Sequence, residues 1–286
     1  MKMQCYSDAG AFLECAGAFL EQQEAINSLP LGLAHYLHRT PGSDSPPPFF
    51  GTLSADGEML CAGVMTPPRP LLLHSTLPEA RAAYGVLAEH LREHAWPVSG
   101  VIGPTDVAAQ FAKAWSAQTG VPSQVKVRML AYTLETVTPP PAVPGNFRVA
   151  GEADTGQVIA WAQAFQIAIN EPSATRQQFE ERIPGEVATG EYFLWDDGGP
   201  VSMARRTRPT RHGICVGGVY TPPEFQRRGY AAACVAALSQ RLLDDGKRFC
   251  MLFADAANPT SNGIYRRIGY RPQAEFTHYV FPEQTA

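Results

Sequence analysis

Two stretches of this sequence combine residue types and spacing that can do chemistry. The first is Ile214-Cys-Val-Gly-Gly-Val-Tyr-Thr-Pro-Pro-Glu-Phe-Gln-Arg-Arg-Gly-Tyr-Ala231, which reads as a strand turning into a helix. Its end, Gln226-Arg-Arg-Gly-Tyr-Ala231, fits the spacing Gln/Arg-x-x-Gly-x-Gly/Ala. Small residues at those places let the chain turn tightly and present successive backbone N–H groups. Together with the dipole of the following helix, such donors favour a pyrophosphate. Gly217-Gly218 weakens the preceding strand and predicts a bulge or a close backbone approach by a ligand. The second stretch, Asn258-Pro-Thr-Ser-Asn-Gly-Ile-Tyr-Arg-Arg-Ile-Gly-Tyr270, follows one strand, opens a short helix and precedes another strand.

Other chemistries find little support. Cys5, Cys15, Cys61, Cys215, Cys234 and Cys250 form no CxxC pair and have no His partner at metal-ligand spacing, so they read as reduced, mostly buried thiols. Apart from His90 and His94, spaced as HxxxH with no further His or Cys nearby in the sequence, the seven histidines form no cluster, and no GxSxG nucleophile elbow occurs, so metal and hydrolase readings find little support. A net charge of −4, from 23 Lys and Arg against 27 Asp and Glu, lacks the excess of a nucleic-acid binder. Arg205, Arg206, Arg208 and Arg211 form a basic run that reads as a solvated hairpin turn. The apolar runs are short and interrupted by charge, so neither a membrane span nor an export signal is expected, and the chain reads as cytoplasmic.

The elements that must position these residues follow from the pattern of the whole chain. A length of 286 residues, with 45% hydrophobic residues, suits two apolar cores. The clearest boundary is Thr138-Pro-Pro-Pro-Ala-Val-Pro-Gly145, whose four prolines favour an extended spacer over a packed element. It predicts domains over 1–137 and 146–286 with a Pro-rich linker over 138–145. The first half reads helix, helix, two or three strands, helix, strand, helix, long strand. A capping box at Thr76-Leu-Pro-Glu79 opens its third helix, and Gly120 stops the next. The second half reads in a similar order, with a hairpin turning at 196–199 and a helix whose buried stripe is Ala231, Val235, Leu238 and Leu242. Its last strand lies near Thr277 to Phe281. Asp8, Gly10, Ala16, Ala18 and Phe19 match Asp154, Gly156, Ala162, Ala164 and Phe165 at one offset, which points to duplication, with two unrelated α/β domains as the competing reading.

With V-Y-T-P-P-E at 219–224, R-G-Y-A at 228–231 and N-P-T-S-N at 258–262, the chain resembles the GCN5-related N-acetyltransferase superfamily, most of all its bacterial members. The match is dense from Tyr192 to Tyr270 and weaker elsewhere. The resemblance implies an α/β (α+β) fold with two acetyltransferase-like domains, each a mixed, splayed β-sheet flanked by helices, and acyl-CoA entering between two central strands. On that basis Val219 and Tyr220 would pair their backbone with the pantetheine arm. Gln226, Arg227, Arg228, Gly229, Tyr230, Ala231 and Ala232 would hold the pyrophosphate, and Asn258 with Ser261 would contact the cofactor. Tyr265 occupies the place of a general acid that protonates the departing thiolate; the competing reading is packing beside Ile264 and Ile268. For the general base, Glu171 in Ile169-Asn-Glu-Pro172 lies where the family shapes its acceptor site, and a solvated loop carboxylate explains it as well. Glu224 reads as a loop residue, and Asp255 as either a base or a cap.

The first half departs from the pattern. Ser75-Thr-Leu-Pro-Glu79 lacks a glycine-rich cradle and places a carboxylate where phosphate would sit, so this half reads as a degenerate acetyltransferase-like domain. The implied activity is acyl-CoA-dependent N-acyl transfer from acetyl-CoA, without a metal, to the amine of a small molecule or peptide. No nucleic-acid or membrane partner is expected, and a homodimer is compatible with the reading. An acyl-CoA-binding regulatory module and an aminoacyl transferase using charged tRNA are the alternatives.

Overall fold

The computed structural model describes all residues except 41, 43–45, 77–80, 171–173 and 283–286. From the N-terminus the chain forms β1 (Lys2–Cys5), α1 (Ala9–Glu21), α2 (Ser28–Arg39), β2 (Phe49–Ala55), β3 (Glu58–Met65) and β4 (Leu71–Ser75). Then come α3 (Arg81–Glu93), β5 (Gly100–Pro104), α4 (Thr105–Thr119) and β6 (Gln124–Leu134). The order then repeats: β7 (Asn146–Val149), α5 (Thr155–Ala168), α6 (Arg176–Ala188), β8 (Tyr192–Asp196), β9 (Pro200–Thr207) and β10 (Gly213–Tyr220). It ends with α7 (Tyr230–Asp244), β11 (Phe249–Asp255), α8 (Pro259–Arg267) and β12 (Arg271–Val280). This element-for-element recurrence is the pattern expected of duplication.

The described residues cluster into two compact units. Unit 1 is Met1–Ala131 with Ala254–Ala257 and Pro272–Ala286; unit 2 is Tyr132–Phe253 with Asn258–Arg271. In unit 1 the strands run in the order β1-β2-β3-β4-β5-β12. The β4–β5 pair is parallel, as a crossover through a helix requires. Side chains alternate across β2, sending Phe49 and Leu53 to the core formed with α3 and α4 and Phe50 to the core formed with α1 and α2. Asp8 caps α1 by accepting from the Ala11 amide at 2.9 Å, worth about 1 kcal/mol. Gly120 ends α4 in the left-handed region at φ 75°, as its place in the sequence predicts. The capping box at Thr76 to Glu79 extends outside the described residues.

Strand β12 comes from the far end of the chain and pairs antiparallel with β5, from Phe276 opposite Pro104 to Val280 opposite Gly100. A Cβ on Gly100 would lie 2.2 Å from the Tyr279 carbonyl oxygen, so a glycine is what lets the two strands approach. Beyond the strand, Phe281 packs against Phe111 and Trp115.

In unit 2 the strand order is β7-β8-β9-β10-β11, again with one parallel pair, β10–β11. Helices α5 and α6 bury Val158, Trp161, Phe179 and Ile183 against Tyr192, Leu194 and Met203. Helix α7 packs along β8, β9 and β10 with Cys234, Leu238 and Leu242 buried. Arg148 holds the start of this unit together, bonding Asp154 at 2.6 Å and Asp196 at 2.9 Å. The Pro-rich segment departs from the expectation of a free spacer. Pro139 to Val143 line a cavity with Trp195, Ala233 and Gln240, and the Trp195 indole N–H donates to the Pro144 carbonyl at 2.8 Å. A proline run has no amides to satisfy, so it can lie against an apolar helix face at little polar cost.

Candidate functional site in the second unit

Strands β10 and β11 pair only at Gly213–Phe249, Ile214–Cys250 and Cys215–Met251 among the described residues. Strand β10 nevertheless runs on to Tyr220. The cause lies in its glycines. The register with β9 shifts between Gly217 and Tyr220, and Gly218 takes φ 57°. This is the bulge predicted from Gly217-Gly218, and it turns β10 away from regular pairing. A Cβ on Gly218 would also sit 3.0 Å from the Arg205 side chain. Tyr220 is fixed by Met203 across the strand pair, by the Ser202 hydroxyl donating to its carbonyl at 3.3 Å, and by the Trp161 ring. Val219 and Tyr220 are both half-buried.

The chain leaves β10 through Pro222 and a single 3-10 turn, Pro223–Phe225, which carries Glu224. Gln226 braces this turn by donating from its side-chain amide to the Thr221 carbonyl at 3.0 Å. Two residues then enter the left-handed region, Arg227 at φ 63° and Gly229 at φ 89°. The first is a non-glycine residue in a conformation that costs about 1 kcal/mol or more. Gly229 is the N-cap of α7 and supplies no side-chain cap. Among the described residues the opening amides of α7, from Tyr230, Ala231 and Ala232, therefore have no side-chain cap, and the helix dipole adds positive potential there. A Cβ on Gly229 would lie 2.8 Å from Val143 Cγ1, so the turn closes over the Pro-rich segment only as glycine. Arg228 lies over the Phe225 ring, and the Tyr230 hydroxyl donates to Asp197 at 2.6 Å, tying the helix start to the β8–β9 hairpin. That hydrogen bond to a carboxylate raises the Tyr230 pKa above the usual phenol range.

Helix α8 carries the second motif. Asn258 is its N-cap and accepts from the Ser261 amide at 3.1 Å. Its backbone carbonyl accepts from the Asn262 side chain at 2.8 Å and from the Ser261 hydroxyl at 3.3 Å. The Asn258 side-chain amide is the group left to reach a ligand, while the Ser261 hydroxyl is engaged within the turn. Tyr265 is half-buried between the rings of Tyr132 at 6.3 Å and Tyr270 at 6.0 Å. Its hydroxyl has no protein partner among the described residues. Burial, with smaller contributions from Cys215 and Tyr132, pushes its pKa up to about 12. The phenol is thus protonated at neutral pH and able to donate. Tyr132 is itself held by its hydroxyl bond to Asn262 at 3.0 Å.

Glu171 lies outside the described residues. Asp255 accepts from the Ala257 amide at 2.8 Å, the local turn of a cap, and groups with unit 1. The basic run is not a uniformly solvated hairpin. Arg205 is half-buried and bonds Glu186 at 3.1 Å, Glu191 at 2.8 Å and the Tyr192 hydroxyl at 3.1 Å. Arg206 donates to the Thr189 carbonyl and Arg208 to the Cys215 sulfur. The reason is register: Arg205 stands opposite both Tyr192 and Gly217 in the middle of the sheet. Tyr132, Val143 and Asp197 contribute to the site without a sequence signal of their own. Only the turn at Asp196-Asp-Gly-Gly199 hinted at a fixed carboxylate.

Among the described residues no group of three or more His, Cys, Asp or Glu is placed to hold a metal, and no helix is long and apolar enough to cross a membrane. Residues 201–280 match the family model described as FR47-like protein. No curated protein matches the sequence significantly. The structure is similar to an acetyltransferase of the GNAT family from Colwellia psychrerythraea, with TM-score 0.64 and 11% identity over 99% of this chain and 100% of that one. It is also similar to a GCN5-related N-acetyltransferase from Kribbella flavida, with TM-score 0.58 and 19% identity over 81% of this chain and 89% of the other. A tandem GNAT protein from the clavulanic acid biosynthesis pathway aligns with TM-score 0.56 and 10% identity over 97% and 98% of the two chains.

Proposed function

We propose that this chain is a member of the GCN5-related N-acetyltransferase superfamily and that unit 2 transfers an acyl group from an acyl-CoA, acetyl-CoA first among them, to an amine. One observation carries this reading. Strands β10 and β11 stop pairing after Cys215 and Met251, and the chain leaving β10 ends on an uncapped helix start behind two left-handed residues. The first feature leaves β10 backbone groups for an extended amide-bearing arm, and the second offers converging donors to a pyrophosphate. Arg227 and Arg228 add positive charge on the exposed turn.

In this mechanism the neutral amine attacks the thioester carbonyl carbon directly, and the CoA thiolate leaves. The chain contributes mainly by holding the two reactants in line. A β10 amide near Val219 would donate to the thioester oxygen, where negative charge develops. Tyr265, kept protonated by the desolvation of its phenol, would give its proton to the leaving sulfur. The acceptor is a small molecule or the amine of a peptide, and Glu171 is the base proposed for it. Unit 1 is proposed not to bind acyl-CoA.

Calorimetry with acetyl-CoA, paired with thiol release in the presence of an amine panel, tests this reading. The expected result is one acetyl-CoA per chain and amine-dependent release of CoA. Absence of binding would overturn the cradle, binding without turnover on any amine would favour a regulatory role, and two equivalent sites would overturn the inactivity of unit 1.

A further inference from the structure

Unit 1 holds a cavity of about 470 Å³ where β4 and β5 end and α4 begins, and acyl transfer in unit 2 makes no use of it. His74 and Val107 form part of its wall, and Gln23, Asp106 and Glu275 stand at its exposed rim.

Three observations define what this cavity can take. His74 is 2% exposed, yet among the described residues neither ring nitrogen has a hydrogen-bond partner. One side of the ring is covered by Phe19, with centroids 5.5 Å apart. Desolvation lowers its pKa to about 4, so the imidazole is neutral at physiological pH, with one nitrogen able to donate and the other to accept. A buried polar side chain with no partner is unusual enough to need an explanation, and a ligand supplies one. The second observation is charge: Asp106 and Glu275 are both carboxylates, and among the described residues no Lys or Arg lines the cavity. That sign attracts a cation and repels phosphate. The third is the closeness of the strands, because a Cβ on Gly103 would lie 2.5 Å from the Leu73 carbonyl oxygen. No gap like that between β10 and β11 opens there for an extended arm.

We propose that this cavity binds a small primary amine lacking phosphate, its ammonium facing Asp106 and Glu275 and a polar group of it hydrogen-bonded to His74. The volume suits a molecule of amino-alcohol or amino-sugar size. Nothing in this assignment depends on acyl transfer by unit 2.

The test uses the full chain, ethanolamine as the probe and nitrogen-resolved NMR of the histidine side chains, with His74 identified through His74→Phe. Ethanolamine should shift the His74 resonances saturably. The double variant Asp106→Asn/Glu275→Gln, both at exposed positions, should weaken that binding about fivefold or more. N-acetylethanolamine, which lacks the positive charge, and inorganic phosphate should leave the resonances unmoved at the same concentrations. Should His74→Phe fail to fold, His74→Gln provides the identification, and the rim variant still decides the outcome. No response to ethanolamine, an equal response to N-acetylethanolamine or phosphate, or unchanged affinity in the rim variant would each overturn the proposal.

Discussion

The two units share an element order and one parallel strand pair, but their parallel pairs end differently. In unit 2 the strand pair parts after Cys215 and Met251, because a bulge at Gly217-Gly218 diverts β10. In unit 1 the pair is registered at Leu71–Val101 and Leu72–Ile102, and Gly103 then keeps β5 against Leu73. Strand β5 passes straight into α4 at Thr105, whereas β11 is separated from α8 by three residues, 256–258. Glycine thus has opposite effects in the two places. In β10 it lets the backbone leave the ladder, and in β5 it lets two backbones press together. One topology can in this way offer a backbone cleft or close it, and the choice rests on where single glycines fall.

The comparison breaks most sharply at Gly229. Gly229→Glu should abolish acetyl-CoA binding in a folded protein, since a side chain meets Val143 at a residue with φ 89° and its carboxylate repels pyrophosphate. Calorimetry would measure it, and retained affinity would remove the cradle from the argument. Next in size is Tyr265→Phe, which keeps the ring between Tyr132 and Tyr270. Turnover on a true acceptor should drop on the order of 10²-fold with acetyl-CoA affinity nearly unchanged. A drop within about twofold, with a lowered Tm instead, would make Tyr265 a packing residue.

The mirror experiment in unit 1 is Gly103→Ala, whose Cβ meets the Leu73 carbonyl oxygen. Overpacking of this kind should cost roughly 1–3 kcal/mol of stability, seen as a lower Tm, with acetyl-CoA affinity unaltered. A matching loss of acetyl-CoA affinity would show that unit 1 takes part in binding. The smallest effects are linked to pH. Tyr265 has a folded pKa of about 12 against the ordinary phenol value of 10.0, so its folded form holds a proton that the unfolded chain loses. The stability it contributes is complete below pH 10 and disappears as pH rises towards 12. His74 runs the other way at low pH: its folded pKa is about 4 against 6.5, so stability is lost as pH falls through that window. Denaturant titrations should show Tyr265→Phe flattening the alkaline limb and His74→Phe the acid limb.

Much of the candidate site's local backbone was legible because near neighbours in sequence set it. Gly217-Gly218 predicts the bulge, Gln226 to Ala232 predicts a tight turn into a helix start, and Asn258 followed by Pro259 predicts a capped helix. Each rests on the conformational freedom or hydrogen-bonding reach of residues within a few positions of one another, which neighbouring sequence alone sets. The order of elements was legible for the same reason except for β1 (Lys2–Cys5), whose four residues are too few to show a period of their own.

What only the tertiary structure decided is which distant groups meet. The sequence cannot show that β12 pairs with β5, because an alternating apolar strand suits many partners, and Gly100 opposite Val280 is recognisable only once they are paired. Arg205 reads in sequence as part of a solvated basic run, and its half-buried place follows from register with Tyr192 and Gly217, which brings Glu186 and Glu191 to neutralise it. The Pro-rich segment reads in sequence as a spacer, and it is the wall beneath Gly229 because a stretch with few amide donors can lie on an apolar helix face. Long-range pairing depends on shape and on desolvation summed over many residues, and no short stretch of sequence contains that sum.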